Sequence, residues 1–212
     1  MFMNTETEKI DRKMHWEKVY SEKQSTEVSW YQQQPEQSLN LIKTTGVKKQ
    51  ASIIDIGGGA SRLIDYLLVA GYKNLSVLDI SHHAIQLAKS RLGDDARMVK
   101  WVELDILKFN TDQRFTVWHD RAVFHFLTEE KDRMQYIDVM KHALDIGSFI
   151  IIATFSDNGP KQCSGLDVMH YSPEKLSAVL GSSFQLLDSH TENHVTPGGT
   201  EQSFIYCRYI RV

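Results

Sequence analysis

The stretch Ile53-Ile54-Asp55-Ile56-Gly57-Gly58-Gly59-Ala60-Ser61 decides how this chain folds. The apolar residues Ile53, Ile54 and Ile56 run into three consecutive glycines, and a helical pattern begins at Ser61. A buried parallel strand that breaks into a glycine turn and opens a helix lets a ligand lie against bare backbone at the carboxyl edge of a sheet. Twenty residues past Gly59, a second apolar run (Leu75, Val77, Leu78) ends in Asp79. A carboxylate at the tip of a second strand is placed to grip the two ribose hydroxyls of a nucleoside. The pair of features points to a cofactor that carries a nucleoside.

Outward from this point the chain alternates strands and helices. Strands are predicted at 52–56, 75–79, 98–103 and 115–119. The first helix carries Leu63, Leu67 and Ala70 before Gly71, and a second, capped by Ser81, carries Ile85, Ala88 and Leu92 before Gly93. Thr128 is expected to cap a helix through Met134, Ile137, Met140 and Leu144, followed by an apolar strand over 148–155. Ser172-Pro173-Glu174 opens a short helix ending at Gly181. Strands near 184–188 and 203–210 finish the chain, with 189–202 read as their link. Before the first strand, helices are expected over 10–23 and from Pro35 to Gly46. Periodicity therefore gives a doubly wound α/β domain, read as five strand-helix units and a closing strand pair. Residues 1–48 form an N-terminal helical cover and 49–212 the sheet domain.

The identity of the cofactor turns on a departure from pattern. A dinucleotide fingerprint needs a third glycine three positions after the second, and here that position is Arg62. Asp55, two residues before the first glycine, would repel a pyrophosphate but suit a cationic ligand. At this point the chain resembles the class I S-adenosylmethionine-dependent methyltransferases, whose acid-x-Gly-x-Gly motif is matched by Asp55, Gly57 and Gly59. The resemblance implies a Rossmann-like, seven-stranded sheet, mostly parallel with one antiparallel strand, and S-adenosyl-L-methionine as cofactor. It also implies roles. Gly57 and Gly59 approach the amino-acid moiety and Asp55 its ammonium. Asp79 holds the ribose, Ile80 packs on the adenine, and Asp105, followed by Ile106, accepts from the adenine amino group. Asp120, at the end of the fourth strand, matches an acid that binds cofactor or substrate.

Further candidates come from residue chemistry. His125 lies in the apolar segment Ala122-Val123-Phe124-His125-Phe126, where an imidazole suits a general base, or equally a core histidine bonded to backbone. Asp120 and His125 are the candidate catalytic pair, and His119 reads as a satisfied structural histidine. Trp16, Trp30 and Tyr31 lie in a polar block outside the sheet. Their aromatic faces suit a sulfonium, Trp30 above all, although they would serve equally to anchor the N-terminal helices. The loop 156–172 is long for a plain connection and is expected to be a substrate lid. Nothing beside Cys163 except Lys161 would lower its pKa, so it is read as unreactive. Asp145-Ile146-Gly147 stands where the family has a Pro-Gly-Gly turn, which leaves the turn geometry before the fifth strand open.

Composition excludes other classes. With 24 basic against 27 acidic residues among 212, no broad surface for a polyanion is implied, and a nucleic-acid substrate is disfavoured. Two cysteines, Cys163 and Cys207, are too few for a disulfide framework or zinc cluster, and no metal is expected. With no secretory signal or membrane-spanning run in the sequence, a soluble, cytoplasmic protein is expected. A narrower resemblance rests on His15-Trp16-Glu17-Lys18-Val19-Tyr20 and Val28-Ser29-Trp30-Tyr31. Together these motifs look like a bacterial methyltransferase branch, and their spacing is similar to methyltransferase-like lysine methyltransferases that modify elongation factors and citrate synthase. The acceptor is accordingly expected to be a protein lysine or a small molecule. An NAD-dependent oxidoreductase, disfavoured by Arg62, and a non-catalytic S-adenosylmethionine-binding module are the alternatives.

Overall fold

The computed structural model describes residues 11–212. Residues 1–10, with Ile10 at the start of the helix expected over 10–23, lie outside the described residues. Helices α1 (Arg12–Glu22) and α2 (Glu36–Thr44) precede the sheet. Then come β1 (Ser52–Ile56), α3 (Leu63–Val69), β2 (Asn74–Asp79), α4 (His82–Leu92), β3 (Val99–Glu103) and β4 (Phe115–Arg121). The chain continues through α5 (Glu130–Ala143), β5 (Leu144–Phe155), the two-residue strands β6 (Gln162–Cys163) and β7 (Leu166–Asp167), α6 (Pro173–Leu180), β8 (Phe184–Val195) and β9 (Glu201–Arg211).

The main sheet has seven strands in the order β3-β2-β1-β4-β5-β9-β8. The pairs β1·β2, β1·β4, β2·β3 and β4·β5 are parallel, whereas β9 pairs antiparallel with both β5 and β8. Strand order reverses between β1 and β4, so a crevice opens beyond their carboxyl ends. One apolar cluster lies on each face of the sheet. Trp118, Tyr136 and Ile152 lie in one; Ile53, Leu67, Val117 and Tyr206 lie in the other, with Leu41 and Ile42 of α2. No helix among the described residues is long and apolar enough to cross a membrane.

Local signals account for most boundaries. Ser81 caps α4 by accepting from the Ala84 N–H, and Ser172 caps α6 by accepting from Lys175, with Pro173 in its first turn. Four expectations are corrected. The chain between β3 and β4 holds only a 3-10 turn, Ile106–Lys108, so the third strand-helix unit has no α-helix. Thr128 does not cap α5; Glu129 occupies the cap without a side-chain bond, and Arg133 ties down the Leu127 and Thr128 carbonyls. Asp145-Ile146-Gly147 is not a turn before β5 but an exposed irregularity inside it, where the β4 register jumps from Phe115↔Leu144 to Val117↔Phe149. The expected link 189–202 is mostly strand: β8 and β9 pair through Val195↔Glu201, leaving only a tight turn closed by Thr196 N–H to the Thr200 carbonyl. As an edge strand, β8 has polar residues on both sides, so its pattern reads as loop while the ladder to β9 makes it strand.

The N-terminal segment also divides differently from the expected cover. Leu41 and Ile42 place α2 in the main core, whereas α1 joins a small separate cluster of Tyr20, Val28, Ala60 and Ala84 with Trp16 and Trp30 packed on it.

Candidate functional site

The glycine turn and the Asp79 tip meet as the sequence suggests. Gly57 has φ +66°, and a Cβ there would lie 2.1 Å from Val123 Cγ2. A Cβ at Gly59 would lie 2.5 Å from Ala84 Cβ and 2.6 Å from Asp79 Oδ2. Only glycine fits at these two positions. The turn is locked to Asp79, whose Oδ2 accepts from Gly59 N–H at 2.9 Å and whose Oδ1 accepts from Ser81 N–H at 2.8 Å. Burial pushes the Asp79 carboxyl up to about 6, and those two bonds oppose the rise.

Two cavities lie side by side at this edge. Asp79, Ile80, Asp105 and Ile106 line the larger. Asp55, Gly58, Arg62 and His119 line the smaller. Gly57, Tyr20, Trp30 and Arg121 form walls of both. Asp55 uses one oxygen, Oδ1, on His119 Nδ1 at 2.7 Å; its Oδ2 is buried with no partner, as is Nε of Arg62. An adenosine and an α-amino-acid end would occupy one cavity each. Buried groups left unpaired in a native site call for a ligand or another explanation. The two here carry opposite charges, which fits a zwitterionic amino acid. The residues present therefore fit S-adenosylmethionine.

Of the sequence candidates, Asp55, Gly57, Asp79, Ile80, Asp105, Ile106 and Trp30 lie in these walls, and Gly59 supports them through its bond to Asp79. Asp120 and His125 do not. Asp120 is fully buried on the opposite face of β4, where Oδ2 accepts from Tyr136 Oη at 2.5 Å and Oδ1 from the Val123 and Phe124 N–H groups. Burial raises its carboxyl to about 6. Its bonds shape the turn after β4, in which Ala122 adopts φ +69°. Asp120, expected at the cofactor or the reacting centre, lines neither cavity. His125 is fully buried and stacked on Phe155 at 4.5 Å, and its Nδ1 accepts the Phe155 N–H at 3.3 Å. Burial, with Arg121 and His170 nearby, pulls its pKa down to about 3, so it stays neutral at ordinary pH and is a poor proton acceptor. Its geometry is that of the core histidine, not of the general base.

Sequence reading missed Arg12, Tyr20, Arg121, Val123 and Phe126 in the walls. Strand parity carried the signal for Arg121, because residues i and i+2 share a face and Arg121 shares one with His119. Its Nε donates to Tyr206 Oη at 2.8 Å and its Nη1 to the Trp30 carbonyl at 2.9 Å, and the guanidinium lies 4.5 Å from the Phe204 ring centroid. Its Nη2 is buried without a hydrogen-bond partner, with Glu192 at 3.9 Å. Trp16 packs edge-on against Trp30 and Phe126, roofing the larger cavity. Polar contacts fasten α1 over it. Arg12 bonds Asp132 and approaches Asp105 at 3.8 Å, and Lys13 bonds Glu103 at 2.6 Å. Glu17 accepts from the His82 and His83 N–H groups and from Ser81 Oγ. Burial alone would raise the Glu17 carboxyl, but its bonds to His83, His82 and Ser81 hold it down at about 2. The loop 156–172, expected as a lid, contributes nothing to either wall; Met169 and Tyr171 tie it back to His125 and Phe155. Cys163 within it is buried, and burial pushes its thiol up, in keeping with an unreactive residue.

Comparison with known proteins agrees with this geometry. Residues 53–147 match a family model described as a methyltransferase domain. The malonyl-[acyl-carrier protein] O-methyltransferase 1 of Ilyobacter polytropus is 27% identical over 114 residues, which are 53% of this chain and 41% of that protein. The human EEF1A lysine methyltransferase 2 is 23% identical over 155 residues, 66% of each chain. The chain thus spans less than half of the first of these relatives. Among solved structures, the N-methyltransferase NodS of Bradyrhizobium japonicum, in complex with S-adenosylhomocysteine, superposes with a TM-score of 0.69 at 17% identity over 92% of this chain and 97% of that one. Motif, fold and family model converge: residues 53–147 match a methyltransferase domain, the sheet has the fold of the S-adenosylmethionine-dependent methyltransferases, and these findings support S-adenosylmethionine as the cofactor.

Proposed function

We propose that the protein transfers a methyl group to a small acceptor bound under α1, and that the acceptor is neutral or acidic. The observation that carries this reading is Arg121. Its guanidinium stands in the wall common to both cavities, and Nη2 has no hydrogen-bond partner. Bound there, S-adenosylmethionine supplies a methyl group already activated on a sulfonium. The protein's part is to align the acceptor lone pair with that carbon and to keep water out. A fixed guanidinium in a site roofed by Trp16, Trp30 and Phe126 favours an anion or a neutral group and opposes a lysine ammonium. The acceptor atom gains the methyl and releases its proton, if it carries one, to solvent or to a group on the acceptor itself.

The human lysine methyltransferase among the relatives supports a protein acceptor as the second reading. The test is to incubate cell extract with methyl-labelled S-adenosylmethionine and separate protein from small solutes. Label is expected in the solute fraction with the wild type and to be largely lost with Arg121→Gln. Label confined to a protein band overturns the small-acceptor reading.

The cofactor assignment has its own expected result. S-adenosylhomocysteine should raise the melting temperature and NADH should not. A ligand at 100 times its Kd adds about 2.7 kcal/mol, or roughly 5–10 °C for a domain of this size. A calorimetric titration silent with S-adenosylhomocysteine but positive with NADH would restore the oxidoreductase alternative.

A further inference from the structure

The smaller cavity contains a buried chain of three polar side chains that methyl transfer itself does not require. Ser38 Oγ, on α2, lies 2.9 Å from His119 Nε2, and His119 Nδ1 lies 2.7 Å from Asp55 Oδ1. Ser38 is wholly buried, and Asp55 and His119 are each 2% exposed. The other Asp55 oxygen, Oδ2, is the unpartnered one. It points to the glycine turn so closely that a Cβ at Gly58 would lie 2.3 Å from it. Leaving a buried carboxylate oxygen unpaired is costly, so a residue arrangement that preserves this state has a ligand as its natural explanation.

We propose that Ser38 and His119 are positioning residues for the amino-acid end of the cofactor. In this arrangement His119 donates from Nδ1 to Asp55 Oδ1 and accepts the Ser38 hydroxyl proton at Nε2, which fixes both its tautomer and its ring plane. A carboxylate held by one oxygen in this way has its carboxyl plane set and leaves its second oxygen, beside the Gly58 turn in the wall of the smaller cavity, for an ammonium. Arg62, whose Nε is also buried and unpaired in the same wall, stands ready for the carboxylate of the same moiety. Through Ser38 the core-packed helix α2 takes part in holding the cofactor, although it precedes the sheet in sequence. This inference rests on the cofactor assignment above and adds to it the residues that orient Asp55.

The test compares two ligands by isothermal titration with the full chain. S-adenosylhomocysteine has the amino-acid end; 5′-methylthioadenosine keeps the adenosine and thioether but lacks it. His119→Ala should weaken S-adenosylhomocysteine about 10-fold and leave 5′-methylthioadenosine unchanged, as loss of a charge-assisted hydrogen bond at one end of the ligand requires. His119→Asn, which keeps a donor near the Nδ1 position, should recover most of that loss. Ser38→Ala is a milder variant suited to a fold that does not tolerate His119→Ala, and should move the same ratio in the same direction. Equal weakening of both ligands would mean the three residues only support the fold, and no weakening of either would mean they do not orient Asp55; either overturns the proposal. Binding of neither ligand to the wild type overturns the cofactor assignment as well, so the two failures are distinguishable.

Discussion

Replacing Asp79 with alanine is expected to cost the protein its cofactor while leaving its fold in place. The carboxylate lies in the wall of the larger cavity beyond the end of β2, and it holds Gly59 and Ser81 by their N–H groups. Each of its oxygens retains a lone pair for a ribose hydroxyl. Losing hydrogen bonds to a charged acceptor costs about 1.5–3 kcal/mol, so affinity for S-adenosylhomocysteine should fall roughly 10- to 150-fold. The same residue gives a pH signature. Its carboxyl titrates at about 6 in the unliganded protein, raised by burial, and ribose hydroxyls bind the ionised form better. Affinity should therefore be flat above pH 6 and fall as pH drops below it, by at most about tenfold per unit. Asp79→Asn should abolish that slope. Near-wild-type affinity in a folded Asp79→Ala protein would reduce Asp79 to a turn residue.

The parts of the site legible in the sequence are those where one residue type answers one local demand. Gly57 and Gly59 are needed because neighbouring side chains leave no room for a Cβ, and Asp79 ends a strand at a fixed distance from them. The end of β4 was harder to read. Asp120 has the expected chemistry, but alternation along the strand turns it, with Trp118, toward Tyr136, and turns His119 and Arg121 toward the cavities. Which parity faces the ligand depends on the packing of both layers, and no single-strand pattern contains that. For His125 the apolar neighbours signal burial, while the choice between general base and core histidine depends on where Phe155 places a backbone N–H. The link between Ser38 and Asp55 joins two segments 17 residues apart through a third, His119, and only the folded chain brings them together. The β8 strand was hidden because edge pairing, not hydrophobic alternation, makes it a strand.

Deleting residues 1–34 is expected to leave a folded domain that binds the cofactor weakly and transfers no methyl group. The segment removed contains α1 and the Trp30 turn, which supply Tyr20 and Val28 to the small cluster they share with Ala60 and Ala84, while Trp30 also packs on a main cluster. Helix α2, which packs Leu41 and Ile42 into the main core, is retained. Trp16, Tyr20 and Trp30 are lost from the walls, together with Arg12 beside Asp105 and the Trp30 carbonyl that holds Arg121. What remains is an open crevice in which water reaches the reacting centre. Helix α1 is held by polar contacts from Arg12, Lys13 and Glu17 and by aromatic packing of Trp16 and Tyr20, so it is expected to open as a unit. Cofactor bound beneath it should shift that opening toward the closed state. In the intact chain, saturating S-adenosylhomocysteine should slow proteolysis within 12–34 and change the tryptophan emission. The change is expected from Trp16 and Trp30, since Trp118 is bonded to Tyr136 inside the core and Trp101 to the Ala96 carbonyl, away from both cavities. Trp30→Ala should remove most of it. Equal cleavage rates with and without cofactor, at independently verified saturation, would show that α1 is a fixed part of the fold and not a moving cover.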